Sequence, residues 1–364
     1  MKLWSISFAY RLGLGFHALN NEGADGSNLM QPRRIDVGSV TYDGISGEII
    51  RRHILENFVD ICRSQTIAML PLSEGLHPDR GPIGIRSAAR NNNAAAVTLD
   101  ANNLFSSVRA AIEKCAVLDA GGFLAAWKDA QGGANAGDYV AESDYINRCC
   151  ATLGSVDPVK RESCFDVAWL ISENPQDLTV TQHSAFRDSA SMNSRYAQSM
   201  RSNTYGGVIR ADLHRIGTDD YWYLQNNKPR LAVTEQDQKK RQIALIEAII
   251  NFIASPTGAK TAGWAPHVFL TKGAILLTSA RTAPFTSPIK VDLTNNDKPV
   301  QAEPSYAETM KNLANDKNEN MDNPNADTWV WTFKDAQQLI STIPQIKSKI
   351  EGNNNVEKKG QTKS

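Results

Sequence analysis

Three observations in the sequence predict an α+β chain. Apolar residues alternate along residues 4–14 (Trp4, Ile6, Phe8, Tyr10, Leu12, Leu14), the period of a strand with one face on a core. Residues 45–61 and 235–254 place apolar side chains at three-to-four spacing, the period of buried helices. Two more alternating stretches, 165–171 and 207–216, separate these helices, and apolar runs at 267–270 and 274–277 follow the second. Strand, helix, strand, strand, helix, strand is the ferredoxin-like order.

The first strand carries Ser5, Ser7 and Arg11 on its second face, small and polar enough for something to lie across it. After Phe16–Leu19 the pattern gives way to Asn20–Asn28, rich in the Asn, Asp and Gly of tight turns, and then to the basic pair Arg33-Arg34. Ser46 is the expected N-cap of a helix whose buried stripe is Ile50, Ile54, Phe58 and Ile61, leaving Arg51 and Arg52 beside the loop. Two basic pairs, a helix N-terminus and a flat polar strand face are expected to converge, which suits a phosphate backbone. The competing reading of each arginine is a solvated surface charge.

With 364 residues the chain exceeds one uninterrupted core, so the expectation is one domain with large insertions, or two domains. Its 39 Lys and Arg balance 39 Asp and Glu, so any polyanion must be held by local clusters rather than by net charge. Cys62, Cys115, Cys149, Cys150 and Cys164 form no C-x-x-C pair and lack nearby histidines, which points to free thiols in a reducing compartment and to no metal or cofactor site. No apolar run is long enough to span a bilayer, and the expected location is cytoplasmic.

The remaining segments follow in order. Residues 1–63 are the first half of the predicted domain, and 64–157 a mostly helical insertion carrying Arg80, Arg86 and Arg90, with a helix near 102–115 and glycine breaks at 121–122 and 132–137. Residues 158–294 form the second half. Within it lies a loop of about 175–206, far longer than a hairpin needs, in which Phe186, Met192 and Tyr196 alternate with Arg187, Arg195 and Arg201. Apolar wedges among arginines suit a single nucleic-acid strand whose bases are displaced while its phosphates are neutralised. Thr234 and Asp237 open the second helix in a near capping box. Residues 295–349 are expected to be an irregular loop, mobile to 327, followed by a strand at 328–333 and C-terminal elements, and 350–364 a disordered tail.

The motifs His17-Ala-Leu-Asn20-Asn21-Glu-Gly23, Arg33-Arg34 and Ile45-Ser46-Gly47-Glu-Ile-Ile-Arg51-Arg52, with Leu118-Asp-Ala-Gly-Gly-Phe123 and Thr181-Gln182-His183-Ser184 further on, resemble the DevR autoregulator family of CRISPR-associated proteins. The resemblance covers roughly the first two thirds of the chain. It implies a ferredoxin-like (RRM-like) palm, a helical insertion facing a target strand, and a long thumb hairpin that kinks guide RNA, with Met192 or Phe186 at its tip. No K/R-G-F/Y motif is present, so loops and edges are expected to grip the RNA. The expected contacts are His17, Asn20, Asn21, Arg33, Arg34, Ser46, Gly47, Arg51, Arg52, Gln182, His183, Phe186, Arg187, Met192 and Arg195, with Arg80, Arg86 and Arg90 toward the target strand. The implied partners are CRISPR guide RNA, the DNA strand paired to it, further copies of the chain in a head-to-tail filament, and other Cascade subunits.

The role implied is that of a non-catalytic backbone subunit of a type I Cascade complex. The alternative is a metal-dependent ribonuclease acting through Asp25 or Asp36, although the clustered His and carboxylate pattern of such enzymes is lacking. A transcriptional regulator would need a helix-turn-helix or a basic helix, and neither is legible.

Overall fold

The computed structural model describes residues 4–19, 21–22, 29–76, 104–125, 159–185, 194–224, 229–258, 261–279, 282–315 and 328–352. In chain order these form β1 (Ser5–His17), β2 (Asn21–Glu22), β3 (Leu29–Val37), β4 (Val40–Ile45), α1 (Gly47–Ser64), α2 (Pro71–Glu74), α3 (Leu104–Lys114), α4 (Ala116–Gly121), β5 (Phe123–Ala125), β6 (Val159–Arg161), β7 (Phe165–Val167), β8 (Leu170–Pro175), β9 (Leu178–Ala185), β10 (Ser194–Ala211), α5 (Glu235–Ala254), β11 (His267–Thr278), β12 (Ile289–Val291), β13 (Val300–Ala302), α6 (Tyr306–Asn315), β14 (Thr328–Phe333) and α7 (Ala336–Glu351). The chain divides into two units, Met1–Asn57 with Phe165–Leu213 and Leu245–Ser364, and Phe58–Cys164 with His214–Ala244.

The first unit is mixed α/β, built on a large, predominantly antiparallel sheet in the order β14-β11-β1-β10-β8-β4-β3-β2, with β7 and β9 also on β10. Its centre is β1, antiparallel to β10 on one side and to β11 on the other. The alternating Ile6, Phe8, Tyr10, Leu12 and Leu14 are fully buried, as a period-two apolar face requires. The second face is not open, which corrects the expectation for Ser5, Ser7 and Arg11. Ser7 Oγ donates to Pro284 O at 2.6 Å, Ser5 Oγ accepts from Ala283 N at 3.0 Å, and Arg11 is ion-paired with Glu173. Ala9 packs between them in a cluster with Ala274, Leu276, Ala283, Tyr306 and Met310. Small side chains let another backbone come within hydrogen-bonding distance, and the hydroxyls satisfy it. What lies across this face is the chain's own segment 282–310.

That cover also corrects the surface loop expected from residue 295, because β13 and α6 form there and bury Val300, Tyr306 and Met310. Residues 316–327 are outside the described residues. The two runs at 267–270 and 274–277 are one continuous strand rather than two. The long stretch for which the resemblance implies a hairpin is paired as one, with β9 and β10 in register from Leu178↔Arg201 to Ala185↔Ser194. The loop before α1 likewise holds the β3–β4 hairpin, and β3 meets β10 in parallel at Leu29↔Ala197 and Met30↔Gln198.

The second unit holds the rest of α1, the short helices, the β5–β6 ladder and the start of α5. At its centre Asp119, on α4, receives Arg161 Nη2 at 2.6 Å, Arg241 Nη1 at 2.9 Å and the Gly217 amide at 2.8 Å, with all three side chains buried. A buried carboxylate needs such partners, because removing charge from water costs several kcal/mol per ion in order of magnitude. Gly122 follows at φ +69°, where an added Cβ would lie 2.5 Å from Arg161 O. Left-handed backbone and this close approach leave room for glycine alone, which explains the second glycine of the Gly-Gly-Phe motif.

Candidate nucleic-acid interface

The start of α1 is built as its sequence suggested. Ser46 is buried and its hydroxyl accepts from Ile49 N at 3.4 Å, while Ser46 O accepts from Ile50 N at 3.2 Å. Gly47 packs so closely on β7 that a Cβ there would sit 2.6 Å from Val167 O. The helix N-terminus therefore abuts residues 165–169, and two expected arginines rest on the same segment. The Arg33 guanidinium lies 5.2 Å from the centroid of the Trp169 ring, and that of Arg51 lies 5.8 Å from that of Phe165. Both are cation–π distances. Burial lowers the Arg51 pKa from its usual value, an effect opposed by the nearby charges of Asp166 and Glu48.

Trp169 stands 36% exposed because the strand bulges there. From Val167 to Ile171 the chain advances four residues while its partner advances three, from Ile209 to Gly206. An extra residue re-aims a side chain, and here it presents the indole to Arg33. Arg210 joins the margin through Asp166, at 2.5 Å. Phe165 and Trp169 were missed as site residues because residues 165–171 read as one uninterrupted strand, and Arg210 because it lies within the alternating stretch 207–216.

The other members of the basic pairs are placed differently from the two ring-stacked arginines. Arg34 follows Arg33 on β3, so it points to the opposite face of the strand, where it is exposed. Arg52 is exposed and paired with Glu56 at 3.1 Å.

His17 is completely buried at the far end of β1. Its Nε2 lies 3.0 Å from Tyr205 Oη, and its Nδ1 accepts from Leu19 N at 3.3 Å. Burial first, and the charge of Arg201 second, hold its pKa well below the usual value, so the ring is neutral at pH 7. Beneath it Tyr205 Oη donates to Asp43 at 3.5 Å, Gln176 Nε2 donates to Asp43 at 2.8 Å, and Arg201 approaches Asp43 at 3.8 Å while donating to Leu19 O. Arg201, read as a hairpin cation, is thus 2% exposed and holds the carbonyl of the His17-Ala-Leu19 loop.

Of Asn21, Gln182, His183 and Arg195 the strand register is described, opposite Pro32, Ala197, Tyr196 and Ser184 respectively. Asn20, Asp25, Arg80, Arg86, Arg90, Phe186, Arg187 and Met192 lie outside the described residues. Asp36 is exposed near the β3–β4 turn and accepts from Thr41 Oγ1 at 2.7 Å, a hairpin contact. Among the described residues no group of three or more His, Cys, Asp or Glu is placed to hold a metal ion, and no helix is long and apolar enough to cross a membrane.

A family model described as "CRISPR-associated negative auto-regulator DevR/Csa2" matches residues 8–298. Comparison with the curated proteins gives no match. Two similar solved chains are each 11% identical and align over 95% of this one. The first, from "CRISPR RNA-guided surveillance complex, pre-nicking", is covered over 100% of its length with a TM-score of 0.43. The second, from "CRISPR RNA-guided surveillance complex", is covered over 98% with a TM-score of 0.41.

Proposed function

Because the chain belongs to the CRISPR-associated DevR/Csa2 family, we propose that it is a non-catalytic, cytoplasmic backbone subunit that binds guide RNA and repeats along it in a type I Cascade surveillance complex. The observation that carries this reading is the pair of ring-stacked guanidiniums, Arg33 on Trp169 and Arg51 on Phe165, on the five-residue segment beside the α1 N-terminus. Stacking fixes each cation before a ligand arrives, which lowers the ordering cost of binding, and the planar guanidinium fork matches the oxygens of a phosphate.

Two further features support the reading. Strand order β11-β1-β10-β8, antiparallel throughout and interleaved in sequence with α1 and α5, supports a ferredoxin-like palm. The paired β9–β10 hairpin is the element that would serve as a thumb over the RNA and against the next copy. The backbone of Leu29 and Met30 is already bonded to this chain's own β10, so a neighbouring copy would be received on a side-chain face of the β2–β3 region and not on that strand edge. Donor and acceptor surfaces differ, so the assembly is open and RNA length sets its copy number. The paired target DNA strand and the other Cascade subunits complete the complex in this reading.

The test is co-expression with a CRISPR array, purification, and sequencing of the bound RNA. The chain is expected to bring down array-derived RNA, and the double variant Arg33→Glu, Arg51→Glu to lose it while keeping its circular dichroism spectrum. Undiminished array RNA on that folded variant would overturn the site, and recovery of no array RNA by the unaltered chain would overturn the function.

A further inference from the structure

Where β1 ends, three aromatic rings stand in the open. Phe16 is 65% exposed and Phe269 62%, and His267 is exposed between them in the β1–β11 ladder. The Phe16 and His267 rings meet edge to face with centroids 6.0 Å apart. Phe269 lies flat over bare backbone, since a Cβ on Gly13 would come within 2.3 Å of its ring and one on Gly15 within 3.8 Å. Phe16 also has φ +53°, a left-handed conformation that a bulky side chain adopts only at a cost, and Ser202 Oγ fixes it by accepting from its amide at 2.9 Å. Strain spent on pointing a phenyl ring into water marks a surface that something else completes.

The strand segments forming the patch, residues 13–16 and 267–272, contain no carboxylate and end in the exposed Lys272. Flat π faces, an imidazole and a cation without opposing charge suit a nucleobase with its phosphate better than an acidic or purely aliphatic partner. From this we infer that Phe16, His267 and Phe269 form a base-stacking site for single-stranded nucleic acid, separate from the guanidinium pairs that would hold phosphates. This rests on the RNA-binding reading above and adds to it a contact with bases on the sheet itself.

The test uses the purified full chain and fluorescence anisotropy with two labelled probes, an oligouridine and an abasic oligomer of the same sugar-phosphate backbone. The unaltered chain should prefer the base-bearing probe. Phe269→Ala and Phe16→Gly should each weaken its binding roughly tenfold, the scale of one lost base–aromatic stack, and leave the abasic probe unaffected. Phe16→Gly should also melt no lower than the unaltered chain, because glycine relieves the left-handed backbone as the ring is lost. Equal affinity of the unaltered chain for both probes would overturn the inference. So would unchanged oligouridine binding by both variants, including the case in which they lose only self-assembly, which would assign the patch to a protein contact. Failure of the unaltered chain to bind either probe would remove the RNA-binding reading and this inference with it, whereas loss of array RNA from the arginine variant alone leaves the stacking site standing.

Discussion

Asp119 and Asp43 are both fully buried carboxylates beside a family-like motif, yet they are held differently. Asp119 lies against two guanidiniums at 2.6 and 2.9 Å and a backbone amide. Asp43 has one guanidinium at 3.8 Å, and its closer partner is the neutral Gln176. Burial accordingly raises the Asp43 pKa, with Arg201 and the hydrogen bonds from Gln176 and Tyr205 pulling the other way. The first network is charge-compensated on every side. The second is mostly neutral, and its neutrality depends on the His17 ring staying unprotonated. His17, an expected ligand contact, and Asp119, which lies in the Gly-Gly-Phe motif segment, are here internal struts of two units.

The largest expected effect is Asp119→Ala, which removes the buried carboxylate shared by Arg161 and Arg241 and should destabilise the chain by about 3–5 kcal/mol in denaturant titration. A loss under about 1 kcal/mol would erase the distinction between the networks. Asp43→Asn keeps shape and most hydrogen bonding, so about 1–2 kcal/mol is expected in the same titration.

The comparison sharpens with pH. The folded-state pKa of His17 is depressed, so the unfolded chain binds the proton more readily, and the stability involved is present above the unfolded value and lost as pH falls below it. Between pH 7.5 and 5.5 this amounts to about 1 kcal/mol when the unfolded ring titrates near the ordinary histidine value of 6.5. His17→Gln should abolish that slope in melting curves while sparing the contact with Tyr205. Asp43 has the opposite sign, because its raised pKa favours the folded state at low pH and loses that contribution as pH rises through the folded value. A loss of stability on acidification that survives His17→Gln unchanged would overturn the assignment to His17. The smallest effect, within about 0.5 kcal/mol, is expected for Arg52→Ala, an exposed helical pair that serves as the baseline for both networks.

Much of the fold was legible because local periodicity coincides with burial. Residues 235–254, with the Thr234 hydroxyl accepting from Asp237 N at 3.1 Å, form the helix that their spacing and cap announce. The alternation of Trp4 to Leu14 likewise marks the central strand. Legibility failed where a partner distant in sequence decides. Ser5 and Ser7 look solvent-facing until residues 283–284 are known to lie on them, and residues 165–171 look like one strand until β10 imposes the bulge at Trp169. At the candidate site the basic pairs were visible as charge, but which member of each pair stacks on a ring was not, since Arg33 and Arg34 differ only in the face that β3 turns inward.

By itself, then, the sequence determined the side-chain periods of β1, α1 and α5, the residues that cap the two helices, and to which family the motifs point. Such features are set by φ/ψ preference, capping and side-chain period, all short-range. Only the tertiary structure decided that His17, Asp119 and Arg201 are buried, that the second face of β1 is closed by the chain's own segment, and that Phe16 and Phe269 remain outside. Those outcomes depend on which distant backbone removes water from a given side chain, and burial by a distant partner leaves no mark in local spacing.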